Sequence, residues 1–416
     1  MKTDRLRAHQ RNRSALNLAC FIFALCLLLH PGFVRAQEVE NYPAGRARAL
    51  LLYEQQKMVD ALPLLERLHA ANPKDLKILE ALAWSTYVSS ATFTDAAAQK
   101  QARKRARDLG LKAKELGSHD GLIEELVNFP PDGGEPASYS SRKEVDEAMR
   151  AGEAAFARGD FGKALEAYER ALKLDPKQYE AALFMGDVYY KQEKLEQAGE
   201  WFAKATAINP DRETAYRYWG DSLLAGDKKE EALKRFAEAV IADPYSRLSW
   251  AGLVNWGKRY DKPLAHPRID VPASSVQRKD DKNITIFMNP DGKADGTDAW
   301  TFYSISRAAW MTEKKFKEAF PNEPQYRHSL REEAESLRLA AEMTAKKLKE
   351  GKLKKEQLDP SLANLVRLNN DGLLEAFILL AKADAGIAKD YEAYRREHRD
   401  KLRQYVVDYV SAGGGK

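Results

Sequence analysis

The sequence predicts an all-α fold in which a solenoid of helix pairs precedes a smaller helical domain, with a short β-ribbon between them. One phrase occurs three times, as GDFGKALEAYERALKLDP from Gly159, EKLEQAGEWFAKATAINP from Glu193 and DKKEEALKRFAEAVIADP from Asp227. Successive copies lie 34 residues apart. A fixed period of this size is typical of helical repeat arrays, and the remaining sequence also shows long stretches of helical spacing.

Each copy keeps small residues, one aromatic residue and one proline at the same offsets. The sets are Gly152, Gly186 and Gly220; Ala164, Ala198 and Ala232; Ala171, Ala205 and Ala239; Tyr168, Phe202 and Phe236; and Pro176, Pro210 and Pro244. The small residues let paired helices approach closely, the aromatic fills the space between them, and the proline ends the second helix. Because one helix pair cannot bury its apolar face alone, several must stack.

This pattern resembles three tandem tetratricopeptide repeats at 145–178, 179–212 and 213–246. The stretch RLSWAGLVNWGKRY supplies a capping helix that ends this array at residue 262, with Trp250 and Trp256 sealing its core. The same frame fits residues 37–127 as an N-terminal array, where Ala49, Ala61 and Leu65 take the small, small and large positions. A second upstream unit has its second helix displaced by an insertion.

Two segments read as linkers. Residues 128–144 contain NFPPDGGEPASYSS, whose Pro, Gly and Ser content is typical of a linker between the arrays. Residues 263–297 form the second, in which NITIFM alternates like a strand that could pair with RIDV. The pattern of residues 298–410 is helical, with Asp298 as an N-cap, and we expect residues 411–416 to be a disordered tail.

The first 36 residues have the layout of a secretory signal peptide. A basic start precedes the apolar run ALNLACFIFALCLLL, and VRA stands directly before Gln37. A retained membrane anchor is the alternative, but the run is shorter than the roughly 20 residues that a spanning helix needs. We therefore expect cleavage near Ala36 and export to the periplasm or beyond.

Removal of this segment changes the composition that bears on function. The full chain has 67 basic and 62 acidic side chains, and the segment holds six of the former and one of the latter, which leaves 61 of each. A balanced chain gives no argument for nucleic acid. Cys20 and Cys26 leave with the segment, which excludes disulfides, cysteine–metal sites and cysteine nucleophiles.

The rest of the chain shows no catalytic or metal signature. Its five histidines include no pair at helical i,i+4 spacing. The stretch NPDGKADGTD, Asn289 to Asp298, is similar to the later part of a calcium loop, yet Phe287 occupies the position of the first ligand. We therefore expect a polar turn and no cofactor.

Two further clusters of side chains could bind a ligand, but each also has a structural explanation. The basic patch Lys104–Arg107 could meet acidic lipid or a polyanion, but a solvated helix face explains it better; its neighbours are Lys100, Arg103, Lys112 and Lys114. Membrane contact therefore has no independent support. The aromatic residues Trp300, Phe302, Tyr303 and Trp310 have helical spacing and are expected in a core.

The resemblance implies a non-catalytic scaffold or assembly factor of the cell envelope that holds a partner segment in a concave groove. In this family the first helix of each repeat lines the groove, which assigns it Met149, Leu183 and Arg217 at one offset, Glu153, Asp187 and Asp221 at the next, and Phe156, Tyr190 and Leu224 at the third. An acidic row beside an apolar one favours a protein segment with basic and apolar side chains. The Lys and Asn residues of members that clamp a terminal carboxylate are absent.

Three alternatives remain at this point. An active site in residues 265–416 would make the chain an enzyme that uses the repeats for docking. A functional calcium loop would make it a calcium-dependent adhesion or structural protein. The groove carboxylates could also only keep an unused face soluble, and the sequence indicates no oligomeric state.

Overall fold

The structure is a computed structural model that describes residues 41–134, 138–272, 276–278, 284–286, 295–312 and 314–414. The signal-peptide prediction for residues 1–36 lies outside these ranges. The chain divides into two compact units, one ending at Leu174 and the other beginning at Asp175. Among the described residues, no helix has the length and apolar character needed to cross a bilayer.

The first unit is built from packed helix pairs, as the sequence predicts. Ala49, Ala61 and Leu65, which the repeat frame places at close contacts, are all fully buried. The helices are α1 (Tyr42–Glu54), α2 (Met58–Ala71), α3 (Leu76–Ser89), α4 (Ala96–Glu115), α5 (Gly121–Val127), α6 (Lys143–Ala157) and α7 (Phe161–Leu174), with a 3-10 turn at Ser90–Thr92.

Aspartate residues start several of these helices. The carboxylate of Asp75 accepts a hydrogen bond from the backbone N–H of Ile78, and that of Asp95 accepts one from Ala98 at 2.7 Å. The first N–H groups of a helix have no partner within it, so an aspartate at this position satisfies one of them. The displaced helix α4 therefore begins at a definite sequence signal after the insertion.

The first part of the predicted linker at 128–144 is attached to α4. Arg103 of α4 donates from Nε to the carbonyl of Gly133 and from Nη2 to that of Gly134, both at 2.9 Å. Arg107 donates to the carbonyl of Phe129 at 2.9 Å. These guanidinium groups fasten residues 129–134 to the helix. Beyond the linker, α6 contacts the 3-10 turn after α3, so the first repeat continues the N-terminal array.

The second unit holds the next two repeats, the capping helix and the whole C-terminal region. Its helices are α8 (Tyr179–Lys191), α9 (Leu195–Ile208), α10 (Glu213–Ala225), α11 (Lys229–Ala242), α12 (Arg247–Arg259), α13 (Trp300–Met311), α14 (Lys314–Ala319), α15 (Leu330–Lys349), α16 (Pro360–Asn370), α17 (Leu374–Phe377) and α18 (Tyr391–Asp408). A π-helical turn, Ile378–Lys382, continues α17, and 3-10 turns lie at Thr297–Ala299, Lys355–Gln357, Ile387–Asp390 and Val410–Ala412.

The turns inside the repeats follow the 34-residue period. Gly159, Glu193 and Asp227 have φ angles of 74°, 59° and 55°, which lie in the left-handed region. Asp261 follows at the next step with a φ of 50°. The repeat frame therefore continues through the capping helix α12, although no second helix follows it.

The C-terminal region is not a separate domain, which corrects the predicted boundary at residue 298. One continuous cluster of buried side chains joins Phe236 of the third repeat to Phe377 and Tyr405. Helix α18 also bonds the end of α11, because the Tyr391 hydroxyl donates to the carbonyl of Ile241 at 2.7 Å. The capping tryptophan Trp256 is buried and donates to a backbone carbonyl of α11, as its capping role requires.

Three local predictions need correction. The strand β2 (Ile284–Ile286) pairs antiparallel with β1 (Val276–Arg278), whereas residues 268–271 form no strand and place Ile269 in the core. Asp298 does not cap α13, because it lies within a 3-10 turn and pairs with Lys347. Residues 411–414 are ordered, and the carbonyl of Gly414 accepts a hydrogen bond from Arg367.

The close contact between Gly186 and Phe202 provides a test of the repeat geometry. A Cβ atom on Gly186 would lie 2.4 Å from Cε1 of Phe202, so Gly186→Leu forces two helices apart. We expect a loss of about 1–3 kcal/mol or more in unfolding free energy, measured by urea denaturation. Gly162→Ala is the control, since its Cβ meets nothing closer than 3.9 Å. Equal stability of the two variants would show that the frame is misplaced.

The shared core predicts that damage in the C-terminal region spreads to the third repeat. Phe377→Leu removes volume from a side chain that is 1% exposed and should cost about 1 kcal/mol. Hydrogen exchange should then quicken in α11 as well as in α18. Ile305→Ala, at a side chain 51% exposed, should leave both unchanged. Faster exchange confined to α16–α18 would contradict a common core.

Candidate functional site

Two helices of the second unit carry the candidate groove. Helices α8 and α10 are the first helices of the second and third repeats, and all the side chains assigned to the groove on them except Leu183 are partly exposed. Residues three and four apart lie on one face of a helix, so each helix presents an aspartate next to a larger apolar side chain. The residues are Asp187 and Tyr190 on α8, and Arg217, Asp221 and Leu224 on α10.

The negative charges of Asp187 and Asp221 affect the pKa of the nearby Tyr190 hydroxyl. Burial raises the pKa of Asp221 to about 6, although the Arg217 guanidinium opposes this rise. Burial also raises the pKa of Tyr190, and the charges of Asp221 and Asp187 raise it further. The Tyr190 hydroxyl therefore lies within the influence of both carboxylates. A cation placed here would stabilise the ionised form of Asp221.

Arg217, the basic residue at the offset that carries Met149 and Leu183 in the other repeats, is engaged by its own helix. Its Nε donates to Oε2 of Glu213 at 3.1 Å, and its guanidinium lies 4.7 Å from the centre of the Tyr218 ring. Glu213 was missed as a member of this face, although its i,i+4 spacing to Arg217 in ETAYR could have revealed it. The charges of Glu213 and Arg217 offset each other within α10. Asp187 and Asp221 therefore still make the face acidic.

Two of the predicted groove residues are wrongly assigned. Met149 is fully buried and Leu183 is only 3% exposed. Both apolar side chains pack into the helical core, whereas Arg217 at the same offset of the third repeat is partly exposed. Neither side chain can contact a partner.

The groove residues of the first unit are engaged inside their own repeat. Glu153 accepts a hydrogen bond from the hydroxyl of Tyr168, and burial raises the pKa of its carboxyl while this bond opposes the rise. The ring of Phe156 packs against Phe161 with their centres 5.7 Å apart. The second and third repeats have phenylalanine at the position of Tyr168.

The basic patch of α4 is occupied by structural contacts. Arg103 and Arg107 hold the loop described above. Other members form ion pairs, which are Lys100–Asp132 at 2.8 Å, Arg105–Glu66 at 2.8 Å and Lys114–Glu124 at 2.7 Å. These contacts favour the structural reading of the patch over a site for lipid or polyanions.

A cluster of ionisable side chains lies in the C-terminal region, within residues 265–416, where the enzyme alternative requires an active site. His328 is held between two carboxylates, with Nδ1 2.7 Å from Asp384 and Nε2 3.1 Å from Glu333. A general base needs a ring nitrogen free to take a proton from substrate. Because both nitrogens are engaged by carboxylates, this arrangement does not form a catalytic base.

Most of the other polar groups in this cluster are also paired, although Oε2 of Glu332 has no hydrogen-bond partner. Arg307 lies 3.0 Å from Glu332 and 3.4 Å from Glu333, and the hydroxyl of Tyr326 donates to Glu332 at 2.9 Å. The neighbouring aromatic side chains Trp300, Tyr303 and Trp310 are buried, as their spacing predicts, whereas Phe302 is only partly buried. The cluster is a packed polar layer between α13 and α15.

A cleft of about 920 Å³ lies beside this region in the second unit. The ring of Tyr245 is 53% exposed in it and packs edge-on to Tyr391. Basic and acidic side chains nearly balance around it, so no charge class of ligand is favoured. The basic ones are Lys389, Arg395, Arg396 and Arg399, and the acidic ones are Asp211, Asp243 and Glu392.

Most of the proposed calcium loop, including Asn289 and Asp291, lies outside the described residues. Of the remainder, Asp295 accepts hydrogen bonds from the N–H and hydroxyl of Thr297, and Asp298 pairs with Lys347 as noted above. Within the described ranges, no group of three or more His, Cys, Asp or Glu side chains could hold a metal ion.

Comparison with known proteins identifies the repeats. Residues 149–213 match the family model for the tetratricopeptide repeat, so this stretch consists of tetratricopeptide repeats, and the all-α solenoid is confirmed by the helices described above. The comparison with curated proteins gave no match.

Several solved structures of tetratricopeptide repeat proteins are similar to parts of the chain. The Sgt2 domain from Aspergillus fumigatus is 22% identical, with 34% of this chain and 98% of that chain covered and a TM-score of 0.28. The Arabidopsis OM64 domain is 20% identical over 28% and 97%, with a TM-score of 0.27. YrrB, described as having an unusual peptide-binding site, is 17% identical over 52% and 94%, with a TM-score of 0.25.

The raised pKa of Asp221 predicts that this carboxylate costs stability at neutral pH. Its folded pKa of about 6 lies above the ordinary value of 3.8, so folding becomes less favourable as pH rises between these values. Asp221→Asn should therefore melt at a higher temperature than the unmodified protein at pH 7.5, and the gain should shrink towards pH 4.

The matched control is Asp108→Asn, an exposed aspartate on α4. At pH 7.5 this surface substitution should leave the melting temperature close to that of the unmodified protein. A gain from Asp221→Asn that does not change with pH would show that Asp221 is not held in an unfavourable ionised state.

Proposed function

We propose that this chain is a non-catalytic interaction protein, in which the groove of α8 and α10 binds a partner segment with basic and apolar side chains. The observation that supports this proposal is the pair of carboxylates, Asp187 and Asp221, around the Tyr190 phenol. Leu224 adds a partly exposed apolar side chain to the same face. Tetratricopeptide repeats hold protein segments on this face, and the proposal applies that mode to these residues.

The electrostatics favour a cation at this site. An ionised Asp221 is unfavourable in the free protein, because burial has removed water from around it. An ammonium or guanidinium group from a partner would restore a favourable environment. Complementary charge also steers association and selects against acidic segments. The cost in the free protein would be recovered when the partner binds.

The apolar side chains of the groove favour a partner segment in which basic and apolar side chains alternate. Tyr190 and Leu224 are each one helical turn beyond an aspartate, so a basic side chain and an apolar one would be needed at short spacing. A helical or extended segment can supply both.

We do not assign catalysis to the C-terminal region. Its ionisable cluster is closed by internal pairs, with His328 bonded on both sides. The proposed role of this region is structural, because it completes the core of the third repeat and covers the end of the array.

We also propose that the protein acts outside the cytoplasm, in the cell envelope. The basic start, the short apolar run and the VRA sequence before Gln37 support export. N-terminal sequencing of protein recovered from cells should begin at Gln37 or within one or two residues of it. A chain that keeps Met1 and sediments with membranes would contradict this proposal.

The groove proposal predicts a preference between two synthetic peptides that share apolar residues and differ only in carrying Lys or Glu. By fluorescence anisotropy, the Lys peptide should bind and the Glu peptide should not. The double variant Asp187→Asn/Asp221→Asn should lower the affinity for the Lys peptide roughly tenfold, which corresponds to about 1.4 kcal/mol of binding free energy. Added salt should weaken binding to the unmodified protein.

The control variant is Glu196→Gln/Glu230→Gln, which makes the same charge change on exposed positions of the second helices α9 and α11. Its affinity for the Lys peptide should match that of the unmodified protein. Equal loss in both double variants would mean that only net charge matters, and the groove would not be the site.

A further inference from the structure

His328 occupies a position that requires a positive charge. Its Nδ1 is 2.7 Å from Oδ2 of Asp384 and its Nε2 is 3.1 Å from Oε2 of Glu333. An ionised carboxylate can only accept hydrogen bonds, so both ring nitrogens must donate. Neutral imidazole carries one N–H, and only the imidazolium ion carries two. The bridge is therefore complete only when His328 is protonated.

The surroundings of His328 also favour its charged form. Tyr303 and Arg307 face it from α13, and both contact Glu333. On its own segment, Arg327 forms ion pairs with Asp390 and Glu323, the first at 2.6 Å. Four carboxylates thus pair with two guanidinium groups, and Asp384 pairs with His328; the four are Glu323, Glu332, Glu333 and Asp390, with Arg307 and Arg327.

Asp384 connects this imidazole to a loop. Its Oδ1 accepts hydrogen bonds from the backbone N–H groups of Gly386 and Ile387, both at 2.9 Å. The loop also approaches the histidine closely, because a Cβ on Gly386 would lie 2.4 Å from the carbonyl oxygen of His328. The loop segment 383–390 is therefore held near its start by the bond between Asp384 and His328, and at its end by the ion pair between Asp390 and Arg327.

The same loop forms part of the wall of the large cleft. Ala385, Ala388 and Lys389 line the cleft opposite Asp243 and Tyr245. A change in how firmly the loop is held would therefore change the shape of the cleft.

We propose that His328 is a pH-sensitive latch, whose imidazolium fastens the loop 383–390 to α15 and whose deprotonation loosens this wall of the cleft. Loss of the proton removes one of the two hydrogen bonds and leaves a ring lone pair facing a carboxylate. Asp384, which is the more exposed of the two partners, is the one that releases. Glu333 stays in place, since Tyr303 and Arg307 hold it.

The direction of the pH effect follows from the environment. Burial alone lowers the pKa of His328, and Arg307 acts in the same direction, but the bonds and charges of Glu333 and Asp384 outweigh them and the pKa is raised above 6.5. The latch is therefore complete below pH 6.5 and is lost as the pH rises through the raised value.

Two measurements on the full chain test the latch. NMR titration should give His328 a pKa above 6.5. Hydrogen exchange, corrected for the intrinsic effect of pH, should show protection of the Gly386, Ile387 and Ala388 amides falling by up to about tenfold per pH unit between 6.5 and that pKa. In His328→Gln, which cannot carry a charge, this fall should be absent.

The control is His398→Gln, since that imidazole is exposed on α18; the fall in protection should persist in it. The proposal is overturned by a His328 pKa at or below 6.5, or by loop protection that does not change with pH. A pH-dependent fall that survives in His328→Gln would equally overturn it. The titration of the unmodified protein decides the matter even where the variant does not fold.

Discussion

The contact between a glycine on the first helix and an aromatic ring on the second is the constraint on which this structure depends. In the second repeat it joins Gly186 to Phe202, and in the third it joins Gly220 to Phe236. Phe236 also contacts Gly252 of the capping helix, where an added Cβ atom would lie 2.3 Å from the Phe236 ring. The same ring belongs to the core that includes Phe377. The repeat contact thus continues directly into the C-terminal region, which covers the end of the array.

The periodic part of the fold was predictable because its contacts are local. Helix pairs, turns and glycine positions recur every 34 residues, and the left-handed turn at Asp261 keeps the same step. The C-terminal packing was not predictable in this way. The bond from Tyr391 to Ile241 spans 150 residues and leaves no periodic trace in the sequence. The prediction of the strand pairing was wrong for a related reason. The alternation of apolar and polar residues identified β2, but it could not identify the strand that pairs with it.

The candidate site shows what an offset argument can and cannot supply. Asp187 and Asp221 are partly exposed, but the offsets define a side of the helix and not its depth, so the buried Met149 and Leu183 were wrongly assigned to the groove. Glu153 differs for a reason that the sequence does contain. Its repeat carries Tyr168, whose hydroxyl binds it, whereas Phe202 and Phe236 offer no donor to the corresponding aspartates.

Site-specific photo-crosslinking in cells tests the central claim, which is that the face of α8 and α10 binds a partner segment. Benzoylphenylalanine would replace Tyr190 on this face or, as a control, exposed Glu200 on α9. The account predicts that position 190 crosslinks to a defined segment containing basic and apolar residues, and that Asp187→Asn/Asp221→Asn abolishes this product. Crosslinks that form from position 200 alone, or that survive the double substitution, would contradict it.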